Sequence, residues 1–514
     1  MQESKGRRKP LIMLSVFDHG AHAPCPTPFN LAAFVLGRSQ ELSDKTALSV
    51  VSPDGAENWS YGALEGAVRG TATGLLQTGM QPGDILLMRL GNTVDFPIAY
   101  LGAIAAGIIP VPTSSQLTGP EVEAIIEGLA PSAILLGDSL PCPQTDLPVH
   151  STRDMEMWHS LPPAPYNMGD PDRLAYIIFT SGTSGAMRAV GHAHRAIWAR
   201  QMMMQGWYGL TGEDRLMHAG AFNWTYTLGT GLMDPWTMGA TALIPAAGVD
   251  HSQIPQLLNA HETTIFAAAP GVYRNILKSA PARMPHLRHG LSAGEKLSPT
   301  LRAAWETATG TAIYEAFGMS ECSTFLSSSP GLPAEGPALG RPQPGRHVGI
   351  LGPQGPVPRG TAGVIAIHRS DPGLMLGYIG APEETAAKFQ GDWFLTGDMG
   401  VMHGDDQITY LGRDDDMMNA GGYRVSPIEV EAALLSHPGI TEVGVTDIAV
   451  KADVRLIAAY YTGPRVLEPE DLTAWVAERL ARYKQPRFFF HRDTLPKNSN
   501  GKLMRRALGT QPDE

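Results

Sequence analysis

Two periods alternate along the first half of the chain. Apolar residues recur at helical spacing over residues 64–76 and again over 96–106, and short β-branched or apolar runs stand among them at 85–90, 133–136 and 175–179. Segments of helix period and strand period in alternation predict βαβ units around parallel sheets from about residue 31 to 243. A second set follows, with a strand at 263–268, a helix at 272–278 and a run at 312–315 that leads into a turn. The longest apolar stretch, 98–111, contains Gly102, Gly107 and Pro110 and falls short of the roughly 20 residues a spanning helix needs. It predicts a buried helix running into a strand, and no membrane span.

Between residues 330 and 400 glycine and proline are dense and the helical period fades, so short strands and turns are expected, arranged as a small barrel-like subdomain. The pattern changes again after residue 410. Gly412-Arg413-Asp414-Asp415-Asp416 interrupts it, 428–436 is helical, and alternating runs appear at 443–445 and 456–461. The fold class is therefore α/β. Residues 1–413 form a large N-terminal domain of two layered α/β subdomains and a β-barrel-like subdomain, and 414–514 form a small α+β C-terminal domain.

Length and composition narrow the function. A chain of 514 residues with 43% hydrophobic and 17% charged residues is a protein of two to four packed units, not a disordered one. A net charge of −11 argues against general binding to nucleic acid or an anionic membrane, so any phosphate must be held locally. The three cysteines, Cys25, Cys142 and Cys322, are too scattered for a disulfide framework or a CxxC metal cluster and read as reduced thiols of the cytoplasm. The basic residues at 5–9 precede an apolar run, 11–17, that Ser15 interrupts and Asp18 ends, short for a signal peptide.

The sharpest chemical signal is Tyr176-Ile177-Ile178-Phe179-Thr180-Ser181-Gly182-Thr183-Ser184-Gly185, a strand-like run that ends in hydroxyls and glycines. Such a loop can wrap polyphosphate, since glycine lets successive N–H groups point inward and the hydroxyls add donors. It is not the GxxxxGK[ST] loop of ordinary ATPases, and by itself such a segment is more often a plain turn.

Its company changes that. The segment resembles the phosphate loop of the AMP-forming adenylating enzymes, the superfamily of acyl-CoA synthetases, peptide-synthetase adenylation domains and firefly-type luciferases. Ser292-Ala293-Gly294-Glu295 resembles the family's adenine-side loop, and Tyr314-Glu315-Ala316-Phe317-Gly318-Met319-Ser320-Glu321 its aromatic-Gly-x-Thr-Glu motif, with Ser320 for Thr. Phe394-Leu395-Thr396-Gly397-Asp398 is similar to the Thr-Gly-Asp signature. Gly412-Arg413-Asp414-Asp415 and Gly421-Gly422-Tyr423-Arg424-Val425 are similar to the hinge and the glycine loop after it, and Pro496-Lys497-Asn498-Ser499-Asn500-Gly501-Lys502 to the C-terminal Gly-Lys motif. The resemblance runs from about residue 30 to 506.

The resemblance implies ATP, Mg²⁺ and CoA as cofactor and cosubstrates. Lys502, Arg413 and Glu321 are the implied catalytic residues, with Glu321 also the Mg²⁺ partner, Phe317 stacking on adenine and Asp398 accepting from the ribose hydroxyls. A mobile C-terminal domain would pivot at Asp415 between an adenylating and a thioester-forming pose, with Gly421 and Gly422 beside a pantetheine tunnel; the same glycine pair also fits a hairpin turn. Where the family has Pro-Lys-Gly, this chain has Met187-Arg188-Ala189, so Arg188 keeps the charge and changes its geometry.

The segment Ala221-Phe222-Asn223-Trp224-Thr225-Tyr226-Thr227-Leu228-Gly229 resembles the acyl-site region of aryl and short-to-medium-chain acyl-CoA ligases. It carries no Asp for a substrate ammonium, which disfavours free amino acids. Trp224, Tyr226 and Ala293 are the expected pocket walls, and each equally fits core packing. The implied activity converts a hydrophobic carboxylic acid to an acyl-adenylate and then to acyl-CoA, AMP and pyrophosphate. Loading of a carrier protein and a degenerate nucleotide-binding homologue stand as alternatives, and a homodimer is the assembly left open.

Overall fold

The computed structural model describes residues 13–510 except 21–22, 116, 139, 182–186, 223, 280–282, 295, 421–422, 452–453, 481 and 498–500. A nine-stranded sheet runs in the order Arg341–Pro342, Ser323–Ser327, Ile313–Met319, His289–Ser292, Ile265–Ala268, Arg215–His218, Thr241–Pro245, Thr46–Ser52, Gly55–Ser60. Every pairing from Ile313–Met319 across to Thr46–Ser52 is parallel, and both margins are antiparallel. Strands such as Ile265–Ala268 are buried at every residue, which is why they read as unbroken apolar runs without alternation.

A second, four-stranded parallel sheet has the order Ile109–Pro112, Ile85–Arg89, Ala133–Leu136, Val149–Ser151. The helices Tyr61–Gln77 and Asp95–Ala106 pack against each other. Ser60 caps the first, its Oγ accepting from the Ala63 N–H at 3.2 Å. The second is buried from Phe96 through Ala106 and leads into the strand Ile109–Pro112, as the long apolar stretch requires.

One element departs from the expected βαβ pattern. The run 175–179 belongs to the strand Leu174–Ser181, but its partner is the antiparallel Met187–Ala193, with Gly377–Tyr378 added on the far side. Local apolar content marks a strand and leaves its direction of pairing open.

The stretch rich in Gly and Pro forms the short strands expected of it, and they pair antiparallel in a seven-stranded sheet built on Val16–Asp18, His347–Gly352, Ala362–His368, Trp393–Met402 and Phe389–Gln390, with Gly355–Pro356 and Ile408–Arg413 alongside. Beyond it, the hairpin Met418–Ala420/Tyr423–Val425 and the sheet Glu442–Lys451, Val454–Thr462, Phe488–His491 enclose their own apolar core with the helices Pro427–Leu435 and Pro469–Ala477. The chain is thus a large α/β domain followed by a small α+β one.

Candidate functional site

The parallel strands of the large sheet deliver their carboxyl ends to one edge, the edge where open α/β sheets bind ligands. His218 ends one strand there and Ser292 another, with Ala293 and Gly294 next in the chain. Ser292 lies in register with Glu315, so the two segments expected around adenine are neighbours by strand pairing.

Phe317 follows two residues later and meets Tyr410 at 5.1 Å between ring centroids and Phe325 at 5.5 Å. The Tyr410 hydroxyl donates to Asp398 Oδ1 at 2.8 Å, and Arg413 lies 3.7 Å from Asp398 Oδ2. Asp398 and Arg413 face each other across antiparallel strands. A flat apolar ring and a buried carboxylate are therefore joined by one tyrosine, and a guanidinium stands on the carboxylate's other oxygen. Tyr410 went unread in the sequence because its link to Asp398 is made through space, by strand register. Gly397 holds φ +81°, a left-handed conformation that turns the signature, and Thr396 Oγ1 accepts from the Asp398 N–H at 3.1 Å.

The hairpin Leu174–Ser181/Met187–Ala193 pairs Thr180 with Arg188 and Ser181 with Met187. The loop between them, Gly182, Thr183, Ser184 and Gly185, lies outside the described residues, as do Glu295, Gly421 and Gly422. Arg188 Nε donates to Glu384 Oε2 at 2.8 Å, and its guanidinium lies 5.4 Å from the centre of the Tyr378 ring. The Tyr378 hydroxyl in turn donates to Glu321 Oε1 at 2.7 Å. His192 Nε2 hydrogen-bonds the Ser320 carbonyl at 2.7 Å, and its ring stacks on Tyr176 at 4.9 Å. Burial pushes His192 down to about 4, so it serves as a neutral strut between the hairpin and the Ser320-Glu321 turn. Tyr378 gave no signal in the sequence, where Gly377-Tyr378 reads as a fragment of a loop-rich stretch.

Glu321 suits Mg²⁺ of the kind carried by a nucleotide. Its carboxylate is nearly buried, and only Oε1 has a hydrogen-bond donor among the described residues. No group of three or more His, Cys, Asp or Glu is placed to hold a metal among the described residues. One protein carboxylate with phosphate oxygens and waters is the usual company of this ion.

Glu315, in the segment expected around the nucleotide, has its carboxylate held by its own neighbours. It is buried, accepts from the Leu297 N–H at 2.9 Å, and pairs with Lys296 at 3.3 Å and Arg302 at 3.1 Å. Its carboxylate is consumed internally, fixing the segment after Gly294 against the strand Ile313–Met319. Ala316 and Gly318 flank Phe317 on that strand.

Trp224 and Tyr226 stand edge to face at 5.1 Å, and an ideal Cβ on Gly294 would lie 3.7 Å from Trp224. Ala293 belongs to the same apolar cluster as Tyr226. The expected pocket walls are thus gathered beside the adenine-side loop.

In the small domain Lys502 is exposed, next to the bridge Lys497↔Leu503, and Leu503 packs on Gly444. Asp415 sits in the single turn Asp414–Asp416 directly after Arg413. Glu442 joins this domain to the large one through Arg274, whose Nη1 lies 3.4 Å from its Oε1, and the same oxygen accepts from Lys497 Nζ of its own domain at 2.7 Å.

The chain is similar to known proteins over most of its length. The family model described as AMP-binding enzyme matches residues 37–379, and that of the AMP-binding enzyme C-terminal domain matches 429–502. Benzoate–CoA ligase of Thauera aromatica is 29% identical over 97% of this chain and 99% of its own. The mitochondrial acyl-coenzyme A synthetase ACSM3 of Rattus norvegicus is 27% identical over 95% of this chain and 92% of its own. Among solved structures, the anthranilate CoA ligase AuaEII in complex with anthranoyl-AMP superimposes with a TM-score of 0.85 at 25% identity, covering 94% of this chain and 97% of its own.

Proposed function

The chain belongs to the family of AMP-binding enzymes, and from that premise we propose that it activates a hydrophobic carboxylic acid, aryl or of short to medium chain. It is an AMP-forming carboxylate–CoA ligase. The acid and ATP give an acyl-adenylate and pyrophosphate, and the thiol of CoA then displaces AMP. The observation that carries the reading is the joint made by Tyr410, which ties the Phe317 ring to the Asp398 carboxylate, an apolar face for a base beside an acceptor for ribose hydroxyls.

Each role follows from the charge problem. An anionic carboxylate must attack an anionic α-phosphate, so the site has to neutralise charge and hold the reactants in line. Asp398 would accept from the ribose hydroxyls and Phe317 would cover the base. The hydroxyls and N–H groups of Thr180 to Gly185, with Arg188 beside them, would take the phosphates. Glu321 would hold Mg²⁺, which would supply neutralising charge at the phosphates. Lys502 would bridge the carboxylate and phosphoryl oxygens, a task for a compact ammonium on a flexible stem.

The domain boundary we propose falls at 413/414. Support comes from the turn Asp414–Asp416 and from the separate apolar core after it. Relatives matched over nearly their whole length carry CoA ligase and acyl-CoA synthetase names, which favours free CoA over a carrier protein. Cytoplasmic residence is proposed on three free cysteines, one of them buried. A homodimer is proposed on the resemblance alone, and sedimentation velocity checks it. No helix among the described residues is long and apolar enough to cross a membrane.

The test is pyrophosphate release over benzoates, cyclohexane carboxylates and linear acids, with and without CoA. Acid-dependent release with CoA-dependent thioester is expected, whereas ATP binding without release would indicate a degenerate homologue. Lys502→Ala should lower adenylate formation by at least about 100-fold, a loss in keeping with removal of a charge acting on the transition state. It should also leave thioester synthesis from supplied acyl-adenylate near the parental rate. Equal loss in both halves would refute the assignment.

A further inference from the structure

The wall beside the acyl pocket is aromatic, yet two of its polar atoms are stranded. His218 has no solvent exposure, and among the described residues its Nε2 has no hydrogen-bond partner; the buried hydroxyl of Tyr226 has none among them either. The two rings touch, with centroids 4.4 Å apart and planes at 83°. Trp224 stands 5.9 Å from His218 and 5.1 Å from Tyr226, and both Trp224 and Tyr226 are only partly buried, so the cluster that holds the two stranded atoms also reaches outward. Buried polar atoms left unsatisfied are few in native folds, and two on touching rings at the carboxyl end of a sheet strand call for a use.

We infer that the acid activated here is an aryl carboxylic acid carrying a neutral hydroxyl or amino substituent, which His218 Nε2 and Tyr226 Oη receive. The inference rests on the ligase reading above and specifies its substrate. Flat aromatic walls select a ring. His218 Nδ1 and Thr227 Oγ1 share one hydrogen at 3.2 Å. If Thr227 donates, Nε2 is protonated and donates; if Nδ1 donates, Nε2 accepts. A hydroxyl or primary amine both donates and accepts, so it satisfies either tautomer and the phenol as well.

Charged substituents fit poorly. Burial pushes His218 down to about 3, so the imidazole is neutral. Arg200, whose charge reaches Tyr226, is already held by both oxygens of Asp234 at 2.8 and 2.6 Å. Asp234 also accepts from Tyr208, leaving no spare anion for an ammonium group. A methyl or halogen would fill space and leave both atoms unpaired.

The experiment uses the full chain with ATP, Mg²⁺ and CoA, comparing kcat/KM for benzoate with its ortho-, meta- and para-hydroxy and amino derivatives. At least one derivative should exceed benzoate by about 100-fold or more, as expected where a site is built to hydrogen-bond its substrate. His218→Phe and Tyr226→Phe should each shrink that ratio by about tenfold or more, and because a ratio is read, any general loss of activity cancels. Tyr226→Phe removes one oxygen only and keeps the test open if His218→Phe fails to fold. Calorimetric affinities for hydroxybenzoyl and benzoyl sulfamoyl-adenosine should show the same preference. Benzoate as the best acid, a ratio unchanged in both variants, or turnover of linear acids alone would overturn the inference while leaving the ligase reading standing. Absence of pyrophosphate release with every acid would remove both.

Discussion

Tyr378 is the side chain on which two distant parts of the candidate site depend. Its hydroxyl holds Glu321, and its ring lies under the Arg188 guanidinium. A hydrogen bond to a charged group contributes about 1.5–3 kcal/mol, so Tyr378→Phe should leave the carboxylate less well aimed. The expected result is a rise of about tenfold in the Mg²⁺ concentration needed for half-maximal pyrophosphate release, a loss of about 1.4 kcal/mol, measured by Mg²⁺ titration at fixed ATP. An unchanged titration would separate Tyr378 from the metal. Phe317, Asp398 and Glu321 could be singled out in the sequence because each sits in a run of consecutive residues that resembles a family motif. Tyr378 and Tyr410 could not, because strand pairing brings them to their partners and nothing adjacent in the chain marks them. Glu315 shows the converse, a motif residue whose carboxylate is spent on Lys296 and Arg302.

At the scale of elements, the parallel strands and the helices Tyr61–Gln77, Asp95–Ala106 and Pro270–Lys278 follow the apolar periods closely, since their burial patterns are set locally. Direction of pairing is set by what the chain does afterwards. The run 312–315 was expected to end in a turn, but the strand continues to Met319 and folds back antiparallel on Ser323–Ser327 through a bulge at Phe317/Gly318. Gly318 has no room for a side chain there, because an ideal Cβ would lie 2.2 Å from the Ser323 carbonyl oxygen and 2.5 Å from Thr324 Cα. Gly318→Ala must push backbone against backbone, at a cost of about 1–3 kcal/mol or more. It should lower the thermal midpoint and weaken ATP binding together, read by differential scanning fluorimetry with and without nucleotide. A midpoint equal to that of the parent would mean the bulge yields more easily than its contacts indicate.

At the scale of the whole molecule, four histidines among the described residues are buried and uncharged. Burial pushes His218 and His194 down to about 3 and His192 and His289 to about 4, against 6.5 for an unperturbed ring. Above pH 6.5 both folded and unfolded chains keep these rings neutral and the fold is at full strength. As pH falls below 6.5 the unfolded chain takes up protons that the fold refuses until about 4 or 3, so stability drains away across that interval. At about pH 5 each ring accounts for about 2 kcal/mol, from the distance between that pH and 6.5. The thermal midpoint should fall steadily from pH 6.5 to pH 4, and substituting His218 or His289 by Phe should flatten the slope; a midpoint independent of pH in this range would contradict the burial of these rings.

A carboxylate of the small domain, Glu442, clasps Arg274 of the large one with the same oxygen that holds Lys497 of its own domain. Exposed pairs of this sort are worth at most about 1 kcal/mol and weaken as salt is added. If the small domain swings during each cycle, the clasp has to be undone and remade every time. Glu442→Gln should therefore raise the rate of the CoA-dependent half-reaction about two- to fivefold at low ionic strength, the scale of a surface pair, and abolish its acceleration by moderate salt, as stopped-flow thioester formation would register. On this view the ionic makeup of the surroundings acts as a governor on turnover, set at a point far from any reacting atom.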